Sequence, residues 1–416
     1  MKKQNHIHFE NSLKNLQFAF KFTGMILETN KIKHSDILTY RFLHIFNLLW
    51  LDRDIFSELV FMYNCINEND GFLTLTLDIP LVTMCILSNT KSVAHFIYEN
   101  DMNMLIEDIR SLELRKNNKL NIDIAEEAAK DKIYKKETVF LKLTVKALNV
   151  AVIITVLSFV VMPVIKMAYK YYKTKEVELI LMFFAVYPVD AYNPKYYPFI
   201  MIHQVWSGVY NSLFIACVDS LFYTCCVYIR IQFKLLQYDF EHLIPPQNVS
   251  RGLLRENATL RRNFKDLVVR HQKLIKCVDL MEHIYAPSLL VNFFTSSFLI
   301  CLAAFIVSVS DDPQILISFG SFFFLSIFQV FFVCFFGDMV MHSSVDLMDK
   351  VYNCLWYQTD SAFAKKILMV QMRAQKPCKL TANGFLDVTL VAFTTILSKS
   401  WSIFALLRTI YKYHPH

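Results

Sequence analysis

Glycine is nearly missing from this chain, with seven residues in 416. That leaves little material for turns that close a backbone around phosphate, and neither a GxGxxG fingerprint nor a P-loop occurs. A GxSxG nucleophile elbow and an HExxH zinc pair are absent too, so the usual hydrolase signatures are missing. Charge is also scarce, at 19% of residues, against 55% hydrophobic residues and 37 phenylalanines. A soluble chain of this length would form two or three domains and need more charge to cover them. The ten cysteines show no secreted disulfide framework. Most fall inside apolar runs, where reduced thiols pack as small apolar groups.

What the chain has in place of charge is length of apolar run. Ala147–Ile165, Tyr196–Val218, Ile284–Ser310 and Ile315–Gly337 each cover about the span of a bilayer without a charged side chain. Three weaker runs accompany them. Tyr40–Ile66 is interrupted by Asp52, Arg53 and Asp54, Gly71–Tyr98 by Asp78 and Lys91, and Asp387–Tyr411 by Lys399 and Arg408. Alone, each would suit a buried soluble helix, since charge at mid-bilayer costs about 2.5–3.5 kcal/mol. Beside four clean runs they are better read as spans facing other helices or water. The expected fold class is therefore an all-α membrane protein with seven transmembrane helices.

Lysine and arginine set the expected orientation. The segments before Asp36, Glu99–Lys136, Arg230–Lys276 and Asp338–Lys379 carry six, eight, ten and six of them. On the opposite face, Met62–Gly71 has none, Lys166–Lys195 has five and the stretch after Leu407 has two. This places the N-terminus in the cytosol and the C-terminus outside, opposite to a G-protein-coupled receptor. The sequons at Asn248 and Asn257 then face the cytosol and stay unmodified. Lys166–Lys195 has no cysteine and cannot hold a disulfide. His6, His8, Glu10 and Asn11 break any apolar core behind Lys2 and Lys3, so no cleavable leader is expected.

The cytosolic stretches read as helices continuing out of the membrane into an anchor bundle. Phe264, Leu267, Val268, Leu274, Ile275, Val278 and Met281 recur at helical spacing, with Lys265, Arg270 and Lys273 on other faces. The fourth span runs on through Ile231, Leu235 and Phe240 until Pro245 and Pro246, and a third stem covers Trp356 to Val370. Such stripes in water pack on each other or on neighbouring subunits. His342 and Asp346 could share a helical face, and His271 and His283 lie on the stem before the fifth span. Two residues do not make a metal site, so no metal, cofactor or nucleic acid is expected. Lys142 and Lys146 snorkel at the mouth of the third span. Asp219 lies about 33 Å along the fourth helix, near the inner interface, and Asp78 about 10 Å into the second. Asp78 suits either a ligand site or an interface pair.

"CLWYQTD" (354–360), "MRAQKPCKLTANGF" (372–385) and "ILSKSWSIFALL" (396–407), in this order, closely resemble the C-terminal signature of insect odorant receptors. The fifth segment (271–305) and "CFFGDMV" (334–340) also resemble that family, with Trp401 where tyrosine is usual and Asp338 where asparagine is common. The resemblance extends over the whole chain and implies a subunit of an odorant-gated, non-selective cation channel. It implies a split seventh segment, one half in the cytosolic anchor and the other lining a pore. Pro377, which lacks an N–H and biases Lys376 away from helix, suits that break. Thr394, Thr395, Ser398, Ser400 and Ser402 suit a wall that meets water, although a bundle helix also tolerates hydroxyls. The family's hydrophobic gate would fall on Ile403, Phe404 and Leu407.

The resemblance further implies a heterotetramer with a co-receptor of the same fold. The short "IPPQNVSRG" loop (244–252) marks this chain as the odour-tuning subunit, in the plasma membrane of olfactory sensory neurons. A small volatile would bind in the outer halves of the second to sixth segments. The second segment offers Leu75, Thr76, Asp78, Ile79 and Thr83, and the third Ile154, Leu157, Ser158 and Val161. The fourth offers Gln204, Val205, Gly208 and Val209, the fifth Phe298, and the sixth Phe319, Phe322 and Phe323. That lining favours a neutral ester, alcohol, aldehyde or terpenoid over an acid or an amine.

The expected division has a cytosolic segment 1–36, spans one to four in 37–230 and cytosolic helix extensions in 231–283. Spans five and six then occupy 284–337, the anchor with the first half of helix seven 338–383, and the pore-lining half with the tail 384–416. A metabotropic receptor would need reversed topology and glycosylated Asn248 or Asn257. A transporter would show an inverted repeat, and a gustatory-type channel would carry a Thr-Tyr-…-Gln-Phe ending. Neither feature is found.

Overall fold

The computed structural model describes residues 8–28, 34–68, 72–116, 124–245 and 258–413. Asn248, Asn257 and most of the 244–252 loop lie outside the described residues. The chain is helical throughout: α1 (His8–Phe22), α2 (His34–Glu68), α3 (Phe72–Ile97), α4 (Glu99–Lys116), α5 (Ile124–Thr174), α6 (Tyr197–Glu241), α7 (Ala258–Val309), α8 (Pro313–Asn353), α9 (Ser361–Ala374) and α10 (Leu390–Tyr413). Among the described residues, six helices are long and apolar enough to cross a membrane: α3, α5, α6, α7, α8 and α10. The 35-residue α2 has the length, but Asp52, Arg53, Asp54 and Glu58 lower its hydropathy.

Two of these helices far exceed a bilayer. At 51 and 52 residues, α5 and α7 are each nearly 80 Å long, against a hydrocarbon core of about 30 Å. The surplus forms a stem end, built from the extended halves of α5–α8 with α1, α4 and α9. The opposite loop end carries the 175–196 connection. Helix α6 is the axis of the molecule, apolar around most of its circumference and buried on nearly all faces. Helix α5 lies at the edge and buries little of its apolar run.

The stem is tightly closed. Tyr223 stacks on Phe336 at 4.7 Å, Phe222 meets Tyr285 edge-on at 5.0 Å, and Phe264 meets Phe363 at 5.2 Å. Segment 1–36 is more than a tail. Helix α1 buries Phe9, Leu13, Leu16 and Phe20, Ser12 shares a 3.0 Å hydrogen bond with the Tyr228 hydroxyl, and Glu113 caps the His8 and Phe9 amides. Charges inside the stem are matched: Asp239 is held by Lys130 and Arg270, Glu137 by Arg230 and Lys234, and Arg110 by Glu10, Glu28 and Glu107. Burial alone would raise the Asp239 carboxyl, but the Arg270 and Lys130 cations outweigh it and hold the group below its ordinary range. His271 is buried in the stem, whereas His283 is exposed and reaches Asp101 at 3.8 Å. His342 pairs with Asp338 at 3.3 Å, one turn back, and not with Asp346.

The last segment is broken. After a 3₁₀ turn at Trp356–Gln358, Asp360 caps α9 by accepting from the Phe363 amide at 2.9 Å. Helix α9 ends before Pro377, and the chain bends through an antiparallel bridge between Thr381 and Asp387 before α10 begins. Gly384 sits at φ +77°, in the left-handed region open to glycine. Gly337 on α8 lets this linker approach, because a Cβ there would come within 2.5 Å of the Val388 carbonyl oxygen.

Candidate functional site

At the loop end, α3, α5 and α8 part beneath the 175–196 connection around a cavity of about 710 Å³. Two smaller chambers of about 80 and 40 Å³ continue it toward the middle of the bundle. The first and second share Leu81, Phe159, Met182 and Phe183, and the second and third share Met84, Ser212 and Phe322. Phe159 meets Phe319 edge-on at 5.4 Å across the wall between α5 and α8. The space suits a small molecule with an apolar body.

The roof is the 175–196 connection, which begins at Lys175 and not at Lys166, because α5 continues to Thr174. Its apolar run Leu179–Phe184 turns inward and lines the first chamber. Gln204 on α6 fastens it: the side-chain oxygen accepts from the Met182 amide at 3.0 Å, and the nitrogen donates to Phe183 O at 2.9 Å and to the Tyr187 hydroxyl at 3.1 Å. Ser57 on α2 donates to Val186 O at 2.8 Å, and Phe61 stacks on Phe184 at 5.2 Å. Met182 rests on Gly208, where a Cβ would come within 3.0 Å of its terminal methyl. These contacts hold the connection in place without a disulfide.

Polar groups enter from three helices. Asp54 accepts from Ser207 and pairs with Arg53 at 3.2 Å, while His203 lies 3.6 Å from it. Glu58, one turn along α2, and Asp78 on α3 are buried; Glu58 Oε2 and both Asp78 oxygens have no hydrogen-bond partner among the described residues. Asp54 and Glu58 line the second chamber, and Asp78 lines the first. At the mouth, Lys166 on α5 reaches Asp312, the residue that caps α8, at 2.5 Å. At the floor, Asp219 takes Lys91 at 2.5 Å and Gln329 at 2.8 Å, joining α3, α6 and α8. Asp219, expected near the inner interface, makes a buried interhelix pair.

The cavity collects Asp78, Gly208, Phe319 and Phe322 from the expected set. Gln204 acts on the roof. Ile154, Leu157 and Val161 face outward, 42–56% exposed, and Phe298 is 54% exposed on α7. Helix phase is the reason: Val152, Thr155, Val156 and Phe159 form the inward stripe of α5. Ser158 bonds to Ser321 at 2.9 Å between helices. Thr76 and Thr83 donate to Leu73 and Ile79 carbonyls, while Leu75 and Ile79 are half-buried off the lining stripe of Leu77, Leu81 and Met84. Val205, Val209 and Phe323 are half-buried outside the cavity wall. Sequence reasoning missed α2 and the roof. Asp54 and Glu58 at i, i+4, and the run "LILMFF" at 179–184, were the available signals.

Helix α10 stands apart from the cavity. Thr394, Thr395, Ser398 and Ser402 lie on its exposed face, whereas Ser400 turns inward to share a 3.1 Å hydrogen bond with Ser297. Phe404 is buried with Cys301 and Phe305 of α7, and Ile403 and Leu407 flank it.

Residues 72–400 match the family model described as 7tm Odorant receptor. The chain is 28% identical over 377 residues to Odorant receptor 67c of Drosophila melanogaster, covering 88% of this chain and 86% of that one. It is 34% identical over 144 residues to Putative odorant receptor 85d of the same fly, about a third of each chain. Its fold superposes on the insect olfactory receptor OR5 from Machilis hrabei in complex with eugenol, with a TM-score of 0.78 at 14% identity, covering 98% of this chain and 100% of that one. With a family match over most of its length, the same fold and an apolar cavity under the loop-end roof, this chain belongs to the insect odorant receptor family.

Proposed function

We propose that the chain is the odour-binding subunit of a heteromeric, ligand-gated, non-selective cation channel. In this reading α2 is the first of seven crossings, the stem end is cytosolic and the loop end faces outward. The partner is a co-receptor of the same fold in the plasma membrane of olfactory sensory neurons, and exposed apolar side chains on α9, Leu368, Met369 and Met372, suit an assembly surface. The observation that carries the reading is the roofed cavity between α3, α5, α6 and α8, in a fold shared with a receptor whose structure holds eugenol.

A small volatile there would favour the packing of α3, α6 and α8 that best encloses it, shifting a pre-existing equilibrium. Asp219, Lys91 and Gln329 join those helices at the cavity floor. Helix α8 touches α10 through Phe331 and Phe393, whose rings meet at 5.4 Å, giving a contact route to the last helix. The exposed hydroxyl face of α10 suits a water-filled wall, with Ile403, Phe404 and Leu407 as the constriction.

The test is whole-cell current under pooled volatiles, with and without an insect co-receptor and with G-protein signalling blocked. Fast current that needs both chains is expected. Current abolished by the G-protein block, together with glycosylation at Asn248 or Asn257, would replace the channel reading with a metabotropic one.

A further inference from the structure

We propose that the loop-end cavity takes a small organic amine, held as its ammonium between Glu58 and Asp78. This deepens the receptor reading and rests on it for the step from binding to current.

The carboxyls are the starting point. Glu58 is 2% exposed and Asp78 fully buried, and three of their four oxygens meet no donor among the described residues. An ionised carboxylate is an acceptor with about four lone-pair sites. Leaving it dry and unpaired costs several kcal/mol. Glu58 also lies within electrostatic reach of both Asp54 and Asp78, so the site concentrates negative charge. A ligand that brings hydrogen-bond donors and positive charge meets that demand.

The nearby cations are already committed. Arg53 is on Asp54 at 3.2 Å, Lys91 on Asp219, Lys166 on Asp312, and Lys170 on Glu178. Once these pairs are set aside, Glu58 and Asp78 remain as the excess charge of the cavity wall. An anionic ligand is disfavoured by them, and a neutral carbonyl compound can use only a proton they retain. A metal ion is a poor occupant, because no group of three His, Cys, Asp or Glu side chains among the described residues could hold one.

The apolar walls complete the fit. Glu58 lines the second chamber and Asp78 the first, and the two chambers share Leu81, Phe159, Met182 and Phe183. An ammonium at that junction has acceptors on two helices while its hydrocarbon body lies against Phe319 or Phe322. The expectation of a neutral ligand followed from the mostly apolar residues of the second to sixth segments and left Glu58 out. Glu58 reaches the same cavity only because α2 packs behind α3.

The test compares hexylamine with hexanol and hexanoate, and 2-phenylethylamine with 2-phenylethanol, on the chain expressed with an insect co-receptor. Each amine is expected to act at a tenfold or more lower concentration than its alcohol, and hexanoate to be inactive. Glu58→Gln and Asp78→Asn should each shrink the amine-to-alcohol ratio tenfold or more, with surface expression measured alongside. In parallel, thermal unfolding of the full-length complex in detergent is followed with each ligand, a readout that needs no current. Amines, and not alcohols, should raise the melting temperature, and the variants should lose that rise. Alcohols as potent as amines, or a ratio unchanged in both variants, overturn the amine assignment and leave the receptor reading standing. Amine stabilisation that depends on Glu58 without any current supports the site and overturns the channel reading. Amines that neither stabilise nor activate overturn the assignment.

Discussion

The two ends of the molecule treat buried charge in opposite ways. In the stem, Asp239, Glu137 and Arg110 each meet partners of opposite sign from elsewhere in the fold. At the loop end, Glu58 and Asp78 are as deeply buried and have oxygens without partners. An anchor gains from satisfying every polar group, since an orphaned charge there would only destabilise it. A binding cavity keeps some groups open, and their unmet demand becomes selectivity when a ligand arrives. Packing follows the same division. Aromatic rings interlock through the stem, while the helices part at the loop end and a connection closes the gap.

Removing one partner at the waist between these ends should have the largest effect. Lys91→Ala leaves the buried Asp219 without a counter-charge and with only the Gln329 hydrogen bond, with an expected loss of about 3–5 kcal/mol, read as a fall in surface expression and melting temperature. A Lys91→Met, Asp219→Leu double variant should recover most of that loss, because it removes both charges. The stem has its own weak point in acid. Burial, with the Arg373 cation beside it, pushes His271 down to about 4, so it stays neutral in the folded stem while the unfolded residue titrates near 6.5. The contribution is full above pH 6.5 and is lost as pH falls toward 4, about 3 kcal/mol over the whole window. Melting temperatures between pH 7.5 and 4.5 should show this slope, and His271→Gln should flatten it.

Gly337→Ala should bring loop-end looseness into the stem, by driving a methyl group onto the Val388 carbonyl. A loss of about 1–3 kcal/mol is expected, seen as increased proteolysis of the 375–389 linker. Gln204→Ala sharpens the contrast from the other side. It frees the roof from three hydrogen bonds worth about 1 kcal/mol each, so agonist potency should fall about tenfold while surface expression holds. Lys170→Ala, at an exposed pair with Glu178, should change stability by less than about 0.5 kcal/mol in the same melts.

Much of the fold could be read along the chain. Charge-free runs announced the apolar helices, helical stripes beyond their ends announced the stems, and the family resemblance, with Pro377 to suit it, implied the break in the last segment. The cavity was legible only in part. Asp78, Gly208, Phe319 and Phe322 were found because they sit on segments expected to surround a ligand. Ile154, Leu157 and Val161 lie off the cavity lining, because α5 is apolar on every face near its middle and hydropathy carries no phase there. Glu58 was not singled out, because only Asp52, Arg53 and Asp54 were weighed among the charges of Tyr40–Ile66.

Composition and pattern by themselves determined that this chain is helical, lives in a membrane and has helices that extend past it. Those properties depend on how many apolar residues follow one another, which is a one-dimensional quantity. Tertiary structure alone decided that Lys91 answers Asp219, that Gln204 holds the roof, and that Glu58 and Asp78 are left facing a cavity. Whether a buried charge is satisfied depends on what stands a few ångströms away on another helix, and spacing along the chain does not encode that distance.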